Sequence, residues 1–280
     1  MKSSIDEQPI YMVVTDLDGT LLQPDQTISP RDYQTLLQLG KAGICRVIAT
    51  GRSLFSAQMA LADDLPLDYL IFSSGAGIVD WKSKQILFSR CLDAKDVGEI
   101  SNFLIIHNFD FMIQDPIPEN HTYAYYQTGR ENPDFELRNE IYREFARKLN
   151  IDPRDFGRAC QIITIIPSDV SAYEEIRQKL DHVKVIRATS PLDGNSIWVE
   201  IFPRGVSKGH AAKWLCERIS IDSASVLGIG NDYNDIDLLE WAGHAVVLAN
   251  TPADLKKTYE VADSNSNSGF SNAVHLKISL

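Results

Sequence analysis

Short apolar runs alternate with segments of helical spacing near the N-terminus of the chain. The runs Ile10–Val14, Ile44–Ala49 and Tyr69–Phe72 are rich in β-branched or large apolar residues. Runs of this length and composition favour strands that are buried on both faces of a parallel sheet. The residues between the first two runs, from Ser29 to Gly40, repeat with helical spacing and have a capping serine and a terminal glycine.

The same alternation returns near the C-terminus. Lys208–Ile219 and Asp235–Trp241 have helical spacing, whereas Ser225–Ile229 and Ala245–Leu248 are short apolar runs. Both ends of the chain therefore predict an α/β fold, with a doubly wound, Rossmann-like parallel sheet to which both contribute.

The middle of the chain has a different order of predicted elements. Helices are predicted over Asp93–Asn108, Pro133–Leu149 and Ser168–Leu180, and strands over Phe109–Gln114, Tyr123–Thr128, Ile162–Ile166 and Val183–Ala188. This order predicts an α+β domain inserted into the sheet domain at about residues 86–195, which leaves 1–85 and 196–280 for the core. The Ser/Asn-rich stretch 264–268 is interpreted as a surface loop.

Composition narrows the possible partners. The chain has 280 residues and a formal net charge of -11, which disfavours binding to nucleic acid or to an anionic membrane. The same charge opposes small phosphorylated ligands, so any phosphate site has to be locally positive through a metal, a lysine or backbone N–H groups. The four cysteines form no CxxC pair, and we expect reduced, buried thiols.

The ends and the apolar runs also bear on localisation. The stretch from Met1 to Pro9 is polar and lacks the apolar segment of a signal peptide. No apolar run approaches the roughly 20 residues that a membrane-spanning helix needs. We therefore expect a cytoplasmic protein that does not bind membranes.

The segment Asp16–Leu22 places two carboxylates, Asp16 and Asp18, directly after a predicted buried strand. Burying an unpaired carboxylate is costly, and a divalent cation would offset that cost. A pair of turn aspartates that cap the next segment is the alternative explanation. The preceding strand and the Gly19-Thr20 turn favour a site, because open α/β sheets bind ligands at the carboxyl ends of their strands.

Three further segments carry candidate chemistry. Thr50-Gly51-Arg52 follows the second predicted strand and begins a helix, where a hydroxyl and backbone N–H groups can hold phosphate. Lys208 lies between serine and glycine at a helix start and can reach a phosphate oxygen. Gly230–Asp235 follows a strand and is rich in the oxygen ligands that Mg²⁺ prefers. An ordinary helix cap, a solvated lysine and an Asx-rich turn are the respective alternatives.

Taken in order, these segments resemble the motifs of the haloacid dehalogenase superfamily of phosphohydrolases. More narrowly, the chain is similar to the Cof-like, sucrose-phosphatase-like branch of sugar phosphatases, which carries a large α/β cap. The resemblance covers the core at both ends of the chain and rests on Asp16–Thr20, Thr50 in TGR, Lys208 in GVSKG and Gly230–Asp235. The predicted insert matches the family in position and in element order only.

The resemblance implies a phosphoric monoester hydrolase that uses Mg²⁺. Asp16 would be the nucleophile that forms an aspartyl-phosphate, Asp18 the general acid and base, and Thr50 and Lys208 the other catalytic residues. The remaining assignments are phosphate binding by Leu17, Gly51, Arg52, Lys208 and Asn234, and a metal site at Asp16, Asp18, Asn231, Asp232 and Asp235. The resemblance also implies that Asp235 orients Lys208 or metal-bound water.

The sequence departs from the family pattern at two positions. Asn231 stands where the family usually has a metal-binding aspartate, so either the Asn231 carbonyl or Asp232 completes the site. Ser74 stands where an asparagine is common. Because of the first departure, a catalytically weak binding or regulatory protein with the same fold is an alternative to the phosphatase.

The expected substrate is a small phosphorylated metabolite, a sugar phosphate by analogy with the branch. A phosphotransferase or mutase on the same scaffold, which passes the phosphoryl group to a sugar instead of water, is the other alternative. We expect the protein to act as a monomer or homodimer.

Overall fold

The structure is a computed structural model that describes residues 9–280. Residues 1–8, most of the stretch expected to lack a signal peptide, lie outside the described residues. The α-helices of the described part are α1 (Pro30–Lys41), α2 (Leu54–Ala60), α3 (Ala94–Ile106), α4 (Pro133–Ile141), α5 (Val170–Lys179), α6 (Lys208–Ile219), α7 (Ile236–Trp241) and α8 (Gly269–Lys277). None of these helices has the length and apolar character that crossing a membrane requires.

The strands of the same part form two sheets. They are β1 (Met12–Thr15), β2 (Cys45–Ala49), β3 (Tyr69–Phe72), β4 (Gly77–Asp80), β5 (Ile86–Ser89), β6 (Phe111–Gln114), β7 (Tyr123–Tyr126), β8 (Ala146–Lys148), β9 (Ile162–Ile166), β10 (Lys184–Thr189), β11 (Ile197–Phe202), β12 (Val226–Gly230), β13 (His244–Leu248) and β14 (Glu260–Ala262). The chain divides into two compact units, one for each sheet.

The first unit contains the described residues up to Gly51, Ala60–Leu87 and Lys208–Leu280. Its sheet has the order β14-β13-β12-β1-β2-β3-β4-β5, and the strands from β14 to β3 run parallel. The strands β1, β3 and β12 are buried almost throughout, as their continuous apolar sequences require. The prediction of an α/β fold with a parallel sheet built from both ends of the chain is confirmed.

Helix α1 illustrates how the local sequence sets an element of this unit. Ser29 caps the helix by accepting from the Asp32 amide, and Pro30 occupies the first helical position, where no intrahelical N–H is needed. The buried face of α1 includes Leu36 and Leu39, and the helix packs against α8 near the C-terminus. No helix was predicted for the α8 segment.

The second unit contains Arg52–Met59 and Phe88–Ser207. Its six-stranded sheet has the order β10-β11-β9-β6-β7-β8, in which only the β7–β8 pair is parallel. Helices α3 and α5 contribute Ile100 and Ile176 to an apolar core on one face. Helix α4 contributes Phe135 to a second cluster that includes Met112 on β6.

Two boundaries in this part differ from the sequence analysis. The predicted insert ends at residue 195, whereas β11 lies beyond it and pairs with both β10 and β9 inside the six-stranded sheet. Val199 and Ile201 of that strand are buried in the core of the second unit, which places β11 there. The helix predicted over Pro133–Leu149 ends at Ile141, because β8 instead pairs with the otherwise open edge of β7.

The expectation of reduced thiols in the protein interior fits two of the four cysteines. Cys160 and Cys216 are buried, whereas Cys45 and Cys91 are partly exposed. Burial is also the main reason why the pKa of the Cys45 thiol is raised to about 12 and that of Cys216 to about 11.

Candidate active site

The candidate site lies in the first unit, at the carboxyl ends of three adjacent strands. Asp16 follows β1, Thr50 follows β2 and Asn231 follows β12. Strand β1 is paired in parallel with both neighbours, and the Asp16 amide continues the ladder by donating to the Ile229 carbonyl at 2.8 Å. Ligands of open parallel sheets bind at this edge.

A tight turn after β1 directs the two aspartates. The Leu17 carbonyl accepts from the amides of Thr20, at 3.3 Å, and Leu22, at 2.9 Å. Gly19 in the turn has a φ of +74°, and a Cβ atom built there would lie 2.5 Å from Asn231 Nδ2. Glycine suits this position because it adopts the left-handed backbone without strain and leaves room for the Asn231 side chain where it lies.

Thr20 joins the turn to the segment after β12. Its Oγ1 lies 3.1 Å from Asp16 Oδ2 and 2.9 Å from Asn231 Oδ1. One hydroxyl therefore bridges an oxygen of each residue. Thr20 belongs to the Asp16–Thr20 motif but was not among the predicted site residues, because an uncharged threonine in a turn carries no signal that separates it from an ordinary turn residue.

Lys208 is the electrostatic centre of the site. Its Nζ donates to Asp16 Oδ1 and to Asp235 Oδ1, at 2.6 Å each. Lys208 and Asp235 are 0% exposed and Asp16 is 5% exposed, so water screens this group poorly. Two carboxylates against one ammonium leave the buried trio with a net negative charge.

The packing of two helices explains why Lys208 reaches Asp235. Lys208 is the first residue of α6, which packs against α7. A Cβ atom at the next residue, Gly209, would lie 2.2 Å from the Asp237 carbonyl oxygen. Only glycine permits this approach of the two helices, so the glycine beside Lys208 in the sequence has a packing role.

Asp235 holds the segment between β12 and α7. Its Oδ2 accepts from the backbone amides of Asn231, at 2.8 Å, and Asp232, at 3.0 Å. Since Oδ1 accepts from Lys208, both oxygens of this carboxylate are already used by protein donors. This geometry suits an orienting role for Asp235 better than direct metal ligation.

Burial changes the protonation of the central pair. Burial raises the pKa of the Asp16 carboxyl to about 7, and the negative charges of Asp235 and Asp18 act in the same direction while Lys208 opposes them. Burial alone would lower the pKa of Lys208, but the charges and hydrogen bonds of Asp16 and Asp235 raise it above its ordinary value. Lys208 therefore stays charged.

The donor set around Asp16 fits a hard divalent cation. Asp16 Oδ2 and Asn231 Oδ1 lie within hydrogen-bond distance of the same Thr20 hydroxyl, so two oxygens that could bind a metal lie near one another. Oxygen ligands of this kind suit Mg²⁺, and its charge would offset the net negative charge of the buried trio. Asn231 contacts Thr20 through Oδ1, and its side chain packs against Gly19.

Thr50 is held by the next strand. Its amide donates to the Ile71 carbonyl and its carbonyl accepts from the Ser74 amide, at 2.9 Å each, and the residue is fully buried. Ser73 and Ser74 have φ values of 49° and 51°, and both are buried. A left-handed pair of non-glycine residues is uncommon, and such strain concentrates at functional sites.

The other predicted site residues have different environments. Leu17 is fully buried, and Asp18 is partly exposed at the turn. Gly51 belongs to the first unit, whereas Arg52 belongs to the second. The remaining residue, Asn234, is partly exposed in a single 3-10 turn over Tyr233–Asp235.

Two asparagines that the sequence analysis did not assign also contact the turn after β1. Asn250 Nδ2 donates to the Gly19 carbonyl at 2.8 Å, and Asn265 Nδ2 donates to the Leu22 carbonyl at 2.8 Å. Asn265 lies in the stretch expected to be a surface loop, yet it is 7% exposed. Its 243-residue separation from Leu22 gave no sequence signal for the contact.

Comparison with known proteins identifies the family and relatives of the chain. A family model described as haloacid dehalogenase-like hydrolase matches residues 13–274. The chain is 27% identical over 280 aligned residues to the 5-amino-6-(5-phospho-D-ribitylamino)uracil phosphatase YwtE of Bacillus subtilis, covering 92% of this chain and 94% of that protein. It is 28% identical over 250 aligned residues to the phosphoglycolate phosphatase of Methanopyrus kandleri, covering 89% of each.

A solved structure is similar in fold. A phosphatase of the haloalkanoate enzyme superfamily from Bacteroides thetaiotaomicron superposes with a TM-score of 0.79 at 21% sequence identity, covering 96% of this chain and 95% of that chain. At this level of identity the similarity shows the fold alone, with both sheets included in the aligned length.

Proposed function

The chain belongs to the haloacid dehalogenase-like hydrolases and is a phosphatase of that family, and we propose that it hydrolyses a small phosphate monoester through an aspartyl-phosphate on Asp16. The observation that carries this proposal is the pair of 2.6 Å contacts from Lys208 to Asp16 and Asp235 in a buried environment. They hold the Asp16 carboxylate in a fixed orientation at the carboxyl end of β1. A preorganised nucleophile of this kind lowers the cost of reaching the transition state.

In the first step, an Asp16 oxygen attacks phosphorus and the bond from phosphorus to the substrate oxygen breaks. Lys208 orients the carboxylate through Oδ1, and the Thr20 hydroxyl lies beside Oδ2. Asp18 donates a proton to the departing oxygen. Its partial exposure to solvent allows it to exchange protons with water between turnovers.

In the second step, water attacks the phosphorus of the aspartyl-phosphate and the Asp16 oxygen departs. Asp18 accepts the proton of that water, so one residue serves as acid and then as base. The intermediate divides a difficult hydrolysis into two easier displacements. Lys208 and the Thr50 region, together with the Gly51 backbone, would hold the phosphate oxygens in both steps.

We further propose a Mg²⁺ site formed by the Asp16 carboxylate, the Asp18 backbone carbonyl and the Asn231 side-chain oxygen. When bound, the cation would reduce the repulsion between the phosphate and the acidic site and stabilise the charge of the transition state. Asp235 keeps the Asn231 segment in position through its two amide contacts. The close Asn231–Thr20–Asp16 contacts favour Asn231 over Asp232 as the ligand.

The substrate class follows from analogy. The Bacillus subtilis relative acts, by its name, on a phosphorylated ribitylamino compound, and the Methanopyrus kandleri relative acts on phosphoglycolate. We propose a phosphorylated sugar or polyol as the substrate and the second unit as the domain that selects it. A cytoplasmic location fits a substrate of this class.

Phosphate release from a panel of sugar, polyol and glycolate phosphates tests the proposal, with and without Mg²⁺. The wild-type protein should release free phosphate from at least one sugar or polyol ester only when Mg²⁺ is present. Asp16→Asn should fold normally, because the amide keeps the size of the carboxyl, and should release none. Activity near the wild-type level in Asp16→Asn would remove Asp16 as the nucleophile.

Trapping of the intermediate supplies a second measurement. Rapid acid quench with a ³²P-labelled ester should label the wild-type chain, and the label should be absent from Asp16→Asn. Transfer of the label to a second sugar instead of to water would favour the phosphotransferase alternative.

A further inference from the structure

Asn250, in the loop after β13, uses both atoms of its side-chain amide. Its Nδ2 donates to the Gly19 carbonyl at 2.8 Å, and its Oδ1 accepts from the Asn265 backbone amide at 3.3 Å. Donor and acceptor are thus both engaged, which fixes the rotation of the amide group. The side chain therefore links the turn after β1 to the C-terminal segment.

Asn265 strengthens this link at the other end of the turn. Its side-chain Nδ2 donates to the Leu22 carbonyl at 2.8 Å, and the residue is buried. Together the two asparagines contact the turn at Gly19 and at Leu22. We call this pair, Asn250 and Asn265, the asparagine brace.

The C-terminal segment that supplies Asn265 is itself anchored on α1. Ser268 Oγ lies 2.9 Å from Ser29 Oγ, and the Ser271 amide donates to Asp32 Oδ1 at 2.8 Å. Ser271 Oγ also lies 2.8 Å from Thr35 Oγ1, in a fully buried pair. The brace therefore connects the turn to the packed helices α1 and α8.

The carbonyl that Asn250 holds belongs to the peptide between Gly19 and Thr20. Fixing this peptide plane limits the orientation of the Thr20 side chain, which bridges Asp16 and Asn231, and of the Asp18 carbonyl one peptide earlier. Gly19 has no side chain to resist rotation and already lies in the left-handed region. Within the turn, this peptide has only the 3.3 Å contact from the Thr20 amide to the Leu17 carbonyl, so the contact from Asn250 adds a second constraint on its carbonyl side.

We propose that the asparagine brace positions the Gly19–Thr20 peptide and thereby sets the affinity of the Asp16 site for its divalent cation. Asn250 and Asn265 are positioning residues in this scheme, since they act through the turn and touch neither substrate nor cation. The proposal rests on the metal-dependent reaction proposed above. It assigns a role to the Ser/Asn-rich stretch 264–268 that loop composition alone does not suggest.

The test is Mg²⁺ binding to the full chain by isothermal titration calorimetry, with Mn²⁺ binding by electron paramagnetic resonance as a second probe. Asn250→Ala should weaken both affinities about tenfold, as the loss of residues that orient metal ligands commonly does. Asn250 is exposed and its hydrogen bonds lie at exposed and partly buried positions, so its truncation should lower the thermal midpoint only slightly. Asn272→Ala is the control, because Asn272 belongs to the same segment but contacts Asp263 and Asn267 instead of the turn.

Asn265→Ala adds a second variant. If the brace acts as one unit, the losses of cation affinity in Asn250→Ala and Asn265→Ala should be less than additive in the double variant. Activity at saturating Mg²⁺ should recover most of the wild-type rate in Asn250→Ala, since the brace affects occupancy of the site. A purely structural role would lower the thermal midpoint without changing the Mg²⁺ concentration for half-maximal activity.

The outcomes separate this inference from the proposed function. If the wild-type chain binds Mg²⁺ and Asn250→Ala binds it with the same affinity within twofold, this result would overturn the inference alone. If the wild-type chain binds Mg²⁺ but releases phosphate from no ester, the result would count against the proposed function. The comparison of Mg²⁺ affinities between the variants would still be valid. A wild-type chain that binds neither cation would overturn both.

Discussion

Lys208 and Asp16 form an ion pair across 192 residues of sequence, with 2.6 Å between Nζ and Oδ1 and almost no exposure of either side chain. One residue begins α6 and the other follows β1, so the pair depends on the complete first unit. Asp235 contacts the same Nζ at the same distance. The nucleophile and the residue that orients it are therefore coupled to the packing of the sheet and of α6.

The first prediction concerns the removal of this lysine. Lys208→Met should lower the free energy of unfolding in the absence of Mg²⁺ by about 3–5 kcal/mol, because it leaves two buried carboxylates without their cation. Urea unfolding with a chelator measures the loss. Adding Mg²⁺ should recover part of the stability but none of the phosphatase activity.

Lys213→Met is the matched control for this experiment, since Lys213 lies on the same helix and is exposed. It should change stability by less than about 0.5 kcal/mol and leave phosphate release unchanged. Equal stability of the Lys208→Met and wild-type chains in chelator would contradict the electrostatic account of the site.

The second prediction concerns pH. Burial raises the pKa of Asp16 to about 7 in the folded chain without metal, whereas an unfolded aspartate titrates near ~3.9. Between these values the folded state binds more protons, so the contribution of this carboxyl to the free energy of unfolding falls as pH rises through that window. Mg²⁺ has to displace the same proton, so its affinity should weaken by roughly tenfold per pH unit below about 7.

Calorimetric titration of Mg²⁺ at about pH 5.5 and about pH 8, in buffers of different ionisation enthalpy, measures both the affinity and the number of protons released. Asp16→Asn should remove most of this pH dependence. Proton release that is the same in the wild type and in Asp16→Asn would assign the effect to another group.

The third prediction tests the second unit. Asp134 is buried at the start of α4 and accepts from Trp198 Nε1 at 2.7 Å and from Ser190 Oγ at 2.9 Å. Asp134→Ala should lower the free energy of unfolding by about 3 kcal/mol, because it leaves two buried donors without an acceptor. Thermal and urea unfolding measure the loss, and Glu136→Ala, an exposed change on the same helix, should have almost no effect.

The sequence predicted those parts of the fold in which local pattern and burial agree. Strand β3 has the bounds expected from its apolar run, and α6 likewise begins at Lys208 and ends at Ile219. Strand β11 was not predicted, because its sequence IWVEIF places a charged residue, Glu200, within an apolar run. Glu200 is nevertheless buried, in a strand that pairs with two neighbours, and the buried Arg138 guanidinium interacts with its charge.

The candidate site shows a similar division. Asp16, Lys208 and Asp235 could be selected from the sequence because each lies at the end or the beginning of a strongly patterned element. Asn250 and Asn265 could not, since an asparagine in a polar loop is common and their partners are backbone carbonyls. Contacts to backbone atoms leave no pattern in the residue types that receive them.

The last prediction addresses the position where the chain departs from the family pattern. Asn231→Asp should tighten Mg²⁺ binding by about tenfold, because a carboxylate replaces a neutral oxygen beside Asp16. In chelator the same change should destabilise the fold, since it adds a negative charge next to the Asp16 and Asp235 carboxylates. Calorimetry with Mg²⁺ and urea unfolding in chelator measure the two effects on the same preparation.

Asp232→Ala distinguishes the two candidate ligands. The Asp232 backbone amide donates to Asp235 Oδ2, and the alanine variant keeps this contact while it removes the Asp232 side chain that forms the other half of a capping box. If Asn231 is the ligand, Asp232→Ala should change the Mg²⁺ affinity by less than about threefold, against the roughly tenfold expected for Asn231→Asp. An unchanged affinity in Asn231→Asp together with a sharp loss in Asp232→Ala would instead make Asp232 the ligand and leave the Asn231 side chain with a packing role against Gly19.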